Sequence, residues 1–207
     1  MFYDEKGIKY PRIEKRPIKI PENEFAPLNE CFDEEITDYC TFWCNEVYSP
    51  SVAKSIYQIA AVKVRNNITI DTFESFVRPW DAMCNARKSA AKEIGVVVEV
   101  IESAEDIDLV FPKFLEFVGD DILISTGALG NQAKLISRAA RYSGLRKLDN
   151  EFLDILDLAA DSSPEFDLAN NTRDYLLTHF NIKEGKTALQ KALVNKSLYD
   201  ELLNYGE

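Results

Sequence analysis

The sequence is poor in the side chains that build zinc centres. It contains one histidine, His179, and none of its four cysteines belongs to a Cys-x-x-Cys pair. Because zinc sites need clusters of such ligands, we expect the thiols to be free and buried, with a disulfide or a metal site as the alternative. The cysteines are Cys31, Cys40, Cys44 and Cys84.

Long apolar runs are absent as well. No stretch approaches the roughly 20 apolar residues that cross a bilayer, and the charged N-terminal residues lack the apolar h-region expected of a secretory signal. At 46% hydrophobic residues over 207 positions, the composition suits one domain with an ordinary core. These features predict a soluble, cytoplasmic protein without a membrane partner.

Basic residues are outnumbered. The chain has 24 Lys and Arg against 35 Asp and Glu, for a net charge of −11. Such a molecule repels phosphate backbones unless a local patch overrides the mean field. The charge therefore favours a protein partner, with nucleic acid left as an alternative.

Residues 1–38 form a segment divided by charge. Its first part is basic and its second part is acidic, and four prolines argue against a helix through most of it. Apolar residues such as Tyr10, Ile13 and Phe25 favour an extended arm docked on the domain, whereas a disordered or partner-binding segment is the alternative. We place the domain itself at 39–207.

Three apolar runs follow, separated by polar turns. The runs begin at Tyr39, Ile56 and Ile68, and Ser-Pro at 49–50 and Asn-Asn at 66–67 separate them. This pattern is typical of an antiparallel meander. Cys40 and Cys44 would then share a strand face, too far apart along it to form a disulfide.

The second half of the chain has mostly helical periodicity. A helix is predicted from about residue 84 to 93 before Gly95, and Ser103 and Asp106 resemble a capping box that opens a helix ending at Gly119. Residues 96–101 remain ambiguous. A buried strand at 121–125, helices at 128–142 and 171–180, and a long final helix complete the pattern, and His179 is predicted at the surface or core edge.

The meander also resembles a known family. Its I-x-x-I-x-A-V-K-V strand at 56–64 and F-x-x-F-V-R-P segment at 73–79 are similar to the opening of the DnaQ-like 3′–5′ exonuclease superfamily, of the proofreading and ribonuclease T type. The resemblance implies an α/β, ribonuclease-H-like fold with a mixed five-stranded sheet flanked by helices. Members of the family often pair as dimers, so a homodimer is a further expectation.

The resemblance implies a site in which four acids hold two metal ions and a histidine acts as the base. The first strand of the family ends in Asp-x-Glu, and these positions correspond to Trp43 and Asn45. The third acid corresponds to Asn131. In the segment at 184–192, which resembles G-A-H-x-A-x-x-D-A, Lys186 is assigned to the histidine and Gln190 to the last acid.

These replacements predict a pseudoenzyme without a cofactor. Two-metal hydrolysis needs several carboxylates, and amides, an indole and an ammonium do not supply them. A one-residue shift of the first strand would bring Glu46 to one acid position, as a residual acid. We therefore expect an inactive binding or scaffolding module, with two alternatives: a divergent exonuclease that uses Mg²⁺ or Mn²⁺, or a metal-free module for single-stranded nucleic acid.

For the nucleic-acid alternative, Trp43 would offer a stacking surface to a base. A simpler hypothesis is that the cleft has no chemical function and that Trp43 fills it as part of the core.

Overall fold

The fold is described from a computed structural model. The structure describes residues 2–3, 9–10, 36–49, 53–79, 85–145, 148–166 and 171–205. Most of the predicted arm at 1–38, together with Cys31 and Cys84, lies outside these residues. Within the arm, strand β1 (Phe2–Tyr3) pairs with β2 (Lys9–Tyr10) in an antiparallel ladder.

The remaining strands form one mixed sheet of five strands in the order β5-β4-β3-β6-β7, which confirms the predicted sheet. The first three are antiparallel neighbours, whereas β6 and β7 run parallel to β3. The strands are β3 (Tyr39–Ser49), β4 (Ala53–Arg65), β5 (Ile68–Phe76), β6 (Ile122–Ser125) and β7 (Phe152–Asp154).

The predicted Asn-Asn turn joins β4 to β5. Asn66 and Asn67 have φ angles of 49° and 61°, the left-handed conformation that two-residue hairpins require and that asparagine tolerates. The local sequence thus fixes the register of this hairpin.

Helices cover both faces of the sheet. Residues 96–101, ambiguous in the sequence, include the start of the short α2. The helices are α1 (Asn85–Ile94), α2 (Val98–Glu102), α3 (Ile107–Val118), α4 (Asn131–Tyr142), α5 (Ile155–Ser162), α6 (Arg173–His179) and α7 (Ala188–Leu203). No helix among the described residues is long and apolar enough to cross a membrane.

Two local predictions were wrong. Ser103 and Asp106 do not form a capping box: Asp106 is the N-cap of α3 but binds the Arg78 side chain, and the Ser103 hydroxyl donates to the Glu99 carbonyl. The helix predicted from residue 128 begins at Asn131, because residues 126–130 form a turn.

The core lies on both faces of the central strand. Because side chains alternate along β3, Phe42 and Cys44 pack towards α3 and α4, whereas Tyr39 and Trp43 pack towards α5, α6 and α7. Cys40 and Cys44 are buried free thiols, as predicted. The alternation also decides which β3 residues meet α7, and these form the site described below.

The end of β3 extends beyond its neighbour β6. Pairing of β3 with β6 stops at Thr41. Beyond that point, the side-chain amide of Gln132 in α4 binds the β3 backbone. The Gln132 Oε1 accepts from the Cys44 backbone N–H at 2.8 Å, and Nε2 donates to the Cys44 carbonyl at 3.3 Å. A buried side chain thereby satisfies the backbone that a sixth strand would otherwise bind.

His179 is the last residue of α6, as its helical assignment predicted. Its ring is partly exposed and contacts the rings of Phe166, Phe180 and Tyr205, and Nδ1 lies 3.3 Å from Glu165. These contacts place His179 at the edge of the core, which agrees with a structural histidine.

Candidate functional site

The candidate site lies where the second half of β3 meets α7. The Thr41 hydroxyl donates to the Ala192 carbonyl at 2.8 Å, which fixes the strand against the helix. Two residues further along, Trp43 and then Asn45 face the same side. Sequence reasoning assigned both to the site, and the structure brings them together.

Asn45 uses its whole side-chain amide. It is only 2% exposed, and its Nδ2 donates to Gln58 Oε1 and to the Lys186 carbonyl, each at 3.1 Å. Its Oδ1 accepts from Trp43 Nε1 at 3.0 Å and from Lys191 Nζ at 2.9 Å. With two donors and two acceptor positions occupied, the amide has no lone pair left for a ligand.

Two cations flank the Trp43 ring. The Arg173 guanidinium carbon lies 4.6 Å from the ring centroid and Lys191 Nζ lies 5.5 Å from it. Cations at such distances are attracted by the negative face of the indole. Sequence reasoning assigned neither residue to the site.

Arg173 is the centre of a polar network. Its Nε donates to Glu184 Oε2 at 2.6 Å and one terminal nitrogen donates to Glu184 Oε1 at 3.1 Å. The other terminal nitrogen donates to the Thr126 hydroxyl at 2.6 Å and to Asn195 Oδ1. Because the guanidinium binds the turn after β6, the loop before α7 and α7 itself, it holds the site in a single arrangement.

Asn195 continues this network into the core. It is fully buried in α7, and its Nδ2 donates to the Phe42 carbonyl and to the Ser125 hydroxyl, each at 2.9 Å. A buried amide with partners on β3 and β6 ties the helix to both strands.

The pKa values of Lys191 and Glu184 both lie below their ordinary values. The shift favours the neutral form of the lysine and the charged form of the glutamate. Burial lowers the pKa of Lys191, although the charges of Glu93 and Glu184 act to raise it. Burial alone would raise the pKa of Glu184, but the hydrogen bond and charge of Arg173 hold it below its ordinary value. The ion pair therefore favours the charged carboxylate.

Glu184 is expected to contribute stability that depends on pH. Because its pKa is lower in the folded state, this contribution is present above the ordinary carboxyl pKa of 4.5 and is lost as the pH falls through the folded value. Glu184→Gln should cost about 0.5–1 kcal/mol at neutral pH, a modest amount since the carboxylate is partly exposed. Urea denaturation at neutral pH and at about pH 3 measures this. A difference between the two proteins that stays constant into acid would contradict it.

Asn131 and Glu46 lie in a second cluster with Lys54. Asn131, at the start of α4, donates from Nδ2 to Glu46 Oε1 at 3.1 Å, and its Oδ1 accepts from Lys54 Nζ at 3.1 Å. Glu46 follows a bulge in the β3–β4 ladder and forms an ion pair with Lys54. The structure thus joins Asn131 to Glu46, and it gives that carboxylate a lysine partner.

Gln190 lies in the first turn of α7 and Lys186 lies just before the helix, and both side chains are exposed. Gln190 Oε1 accepts from the backbone N–H groups of Lys186 at 2.8 Å and Thr187 at 3.1 Å, and the Thr187 hydroxyl accepts from the Gln190 N–H. This capping box requires a close approach by Gly185, where an added Cβ would lie 2.3 Å from Gln190 Cβ. Gln190 therefore caps the helix.

The residue that contacts Asn45 from α7 is Lys191, so the assignment of Gln190 to the site needs correction. Counting through G-A-H-x-A-x-x-D-A with Lys186 at the histidine places the acid on Lys191. A step of one residue along a helix changes the face, which explains why Gln190 caps while Lys191 meets Asn45.

Comparisons with known proteins agree with this architecture. No protein-family profile matches the chain. DNA polymerase III PolC-type of Listeria welshimeri is 31% identical over 144 residues, covering 70% of this chain and 10% of the relative. The Bacillus subtilis protein of the same name is 29% identical over 133 residues, covering 64% of this chain and 9% of its own length.

Solved structures show the same fold. A 3′-exonuclease bound to a histone mRNA stem-loop gives a TM-score of 0.66 at 13% identity, covering 84% of each chain. Exonuclease X in complex with 5′ overhanging duplex DNA gives 0.57 at 14% identity, covering 81% of this chain and 92% of that one. The chain belongs to the DnaQ-like exonuclease superfamily. It spans about a tenth of the length of the curated relatives it matches.

The DnaQ-like assignment raises the question of metal ions, which exonucleases of this superfamily use. Magnesium and manganese prefer carboxylate, carbonyl and water oxygens. At the β3–α7 site the chain offers an indole, a saturated amide, an ammonium and a guanidinium, and the Glu184 carboxylate there is bound through both oxygens by Arg173. These groups do not fit a divalent cation. Within the described residues, no group of three or more His, Cys, Asp or Glu side chains could hold a metal ion.

Proposed function

We propose that this chain is a catalytically inactive exonuclease-like domain that works as a binding or scaffolding module through protein contacts. The observation that carries the proposal is the saturated Asn45 amide with the Lys191 ammonium against it. Hydrolysis of a phosphodiester by two metal ions needs anionic ligands at this point, because they hold the ions and balance their charge. A site whose hydrogen bonds are all made internally supports structure rather than turnover.

The partner is proposed to be a protein rather than a nucleic acid. The net charge of −11 repels phosphates at a distance. Locally, the Arg173 guanidinium packs against the Trp43 ring, and this contact competes with a stacked base. Arg173 is itself paired with Glu184, so its charge is already balanced.

The relatives indicate where such a partner would act. The curated relatives are PolC-type DNA polymerases, and the neighbouring structures are exonucleases in complexes with RNA or DNA. We therefore propose that the partner belongs to the machinery of nucleic acid processing, and that the domain contributes a docking surface there.

The acidic segment at 149–167 supports contact with a basic partner surface. Asp149, Asp157, Asp161 and Glu165 are exposed around α5, whereas Asp154 is buried and serves the fold. Negative charge spread over this segment attracts basic surfaces and raises association rates at low salt. The predicted arm at 1–38 would supply a second contact, and it stays a prediction because most of it lies outside the described residues.

Purified protein is expected to leave labelled single strands of DNA and RNA intact in the presence of Mg²⁺ or Mn²⁺. In fluorescence anisotropy at physiological salt, the same strands should bind with a Kd no tighter than about 10⁻⁴ M, the weak end of non-specific association. Gel electrophoresis of the strands after prolonged incubation measures cleavage. An active superfamily member in the same buffer establishes that the assay detects trimming.

Glu46→Gln is the matched variant in this experiment, since Glu46 is the residual carboxylate near the site. Metal-dependent trimming by the wild type that Glu46→Gln abolishes would overturn the proposal in favour of a divergent exonuclease. Tight, salt-sensitive binding without cleavage would favour the nucleic-acid module instead.

A further inference from the structure

The positive charges at the site occupy defined places relative to Trp43 and Asn45. Lys191 Nζ lies 2.9 Å from Asn45 Oδ1, and Arg173 lies 4.6 Å from the centre of the Trp43 ring. These are the two β3 positions at which the superfamily resemblance expects metal-binding acids. Side-chain cations therefore lie where divalent charge is expected.

The Arg173 guanidinium is compensated within the chain. Glu184 binds Arg173 through both carboxylate oxygens, with nitrogen–oxygen distances of 2.6 and 3.1 Å. The Arg173 side chain is 13% exposed and that of Glu184 is 38% exposed, so the arginine is the better shielded of the two. Arg173 also donates to the Lys191 backbone carbonyl at 3.4 Å. Glu184 thus balances the charge of Arg173, whereas the Lys191 ammonium is bound by the neutral Asn45 amide.

We infer that Lys191 and Arg173 are built-in cations that replace divalent metal at this site, so that the site excludes Mg²⁺ and Mn²⁺ even when carboxylates are restored. This inference rests on the proposed non-catalytic function. A carboxylate introduced by Asn45→Glu would meet the Lys191 ammonium, and one introduced by Trp43→Asp would meet Arg173. Each new anion would form an internal ion pair, so a divalent ion would have to displace a bound side-chain cation before it could use that carboxylate.

The experiment compares the Mn²⁺ affinity of two proteins that differ only at residue 191. Both carry Trp43→Asp, Asn45→Glu and Asn131→Asp, and one also carries Lys191→Met. Methionine fills a similar volume without charge, so the comparison isolates the ammonium. Titration followed by electron paramagnetic resonance measures free Mn²⁺ directly, without nucleic acid. Removal of the ammonium is expected to tighten Mn²⁺ binding by about tenfold or more.

Lys196→Met in the same triple variant is the matched control, because Lys196 lies on α7 and pairs with Asp200. It should leave Mn²⁺ affinity unchanged. Equal Mn²⁺ affinity with and without Lys191→Met would overturn the inference.

A double-mutant cycle tests the same contact with fewer substitutions, in case the triple variants do not fold. Asn45→Asp is close to isosteric, and whatever it loses at Gln58 and the Lys186 carbonyl is common to both backgrounds and cancels. Its effect on the unfolding equilibrium constant should differ by about tenfold between the Lys191 and Lys191→Met backgrounds. Identical effects would mean that the ammonium does not act on this position.

The two proposals can fail separately. Cleavage of single strands by the wild-type protein would reject the proposed inactivity whatever the variants do. Mn²⁺ affinity in the restored variants requires neither activity nor a partner, so it tests the built-in cations alone.

Discussion

Arg173→Met is expected to lower the free energy of unfolding by about 2–3 kcal/mol, because several charge-assisted hydrogen bonds are lost together while the paired Glu184 stays partly exposed to water. The guanidinium donates to Glu184, Thr126, Asn195 and the Lys191 carbonyl. Its removal leaves Glu184 with the Gly185 N–H and Asn195 Oδ1 with the Thr126 hydroxyl, so each shielded acceptor keeps fewer donors than before. Urea denaturation followed by circular dichroism measures the loss.

Arg173→Lys and Lys134→Met are the controls for this result. Lysine keeps the charge but cannot donate in parallel to both oxygens of Glu184, so Arg173→Lys should fall between the wild type and Arg173→Met. Lys134 is exposed on α4, and its replacement should change stability by less than about 0.5 kcal/mol. A loss below about 1 kcal/mol for Arg173→Met would show that the network contributes little.

Asp154→Ala is expected to lower the free energy of unfolding by about 3–4 kcal/mol, since three hydrogen bonds to a charged acceptor are lost together. The Asp154 carboxylate accepts from the N–H groups of Gly127 at 2.8 Å, Leu129 at 3.1 Å and Leu156 at 3.1 Å. It therefore caps α5 and also fixes the turn that leads into α4. Amide hydrogen exchange should accelerate at Gly127 and Leu129 as stability falls.

Asp154→Asn and Asp161→Ala separate the causes. Asparagine keeps one acceptor oxygen without the charge, and about half of the loss should remain. Asp161 lies exposed on the same helix, so Asp161→Ala should be close to neutral. Equal losses for Asp154→Asn and Asp154→Ala would mean that charge, rather than hydrogen bonding, dominates.

The sheet was predictable from the sequence because its signals are local. Apolar runs bounded by Ser-Pro and Asn-Asn place β3, β4 and β5, and the turn at Asn66 and Asn67 needs no distant contact. Helix α3 follows from the spacing of its apolar residues. The Ser103 prediction failed because the Arg78 side chain, distant in sequence, takes the Asp106 carboxylate.

The site was predictable only in part. Trp43 and Asn45 follow from the strand register, and their shared face follows from the alternation of side chains. Arg173 could not be found this way, since it starts a short helix and reaches Trp43 only through the fold. Asp154 belongs to an acidic run that resembles a solvated face, yet backbone N–H groups from a separate turn surround it.

The amide of Gln132 has a consequence for the behaviour of the sheet in a crowded solution. Sheets grow by adding strands to unpaired backbone, and such growth between molecules is a route to aggregation. At Cys44 an incoming strand would first have to displace a side chain that is 3% exposed and bonded to both backbone groups. Gln132 thus blocks the unpaired backbone of β3 at Cys44 from pairing with a strand of another molecule.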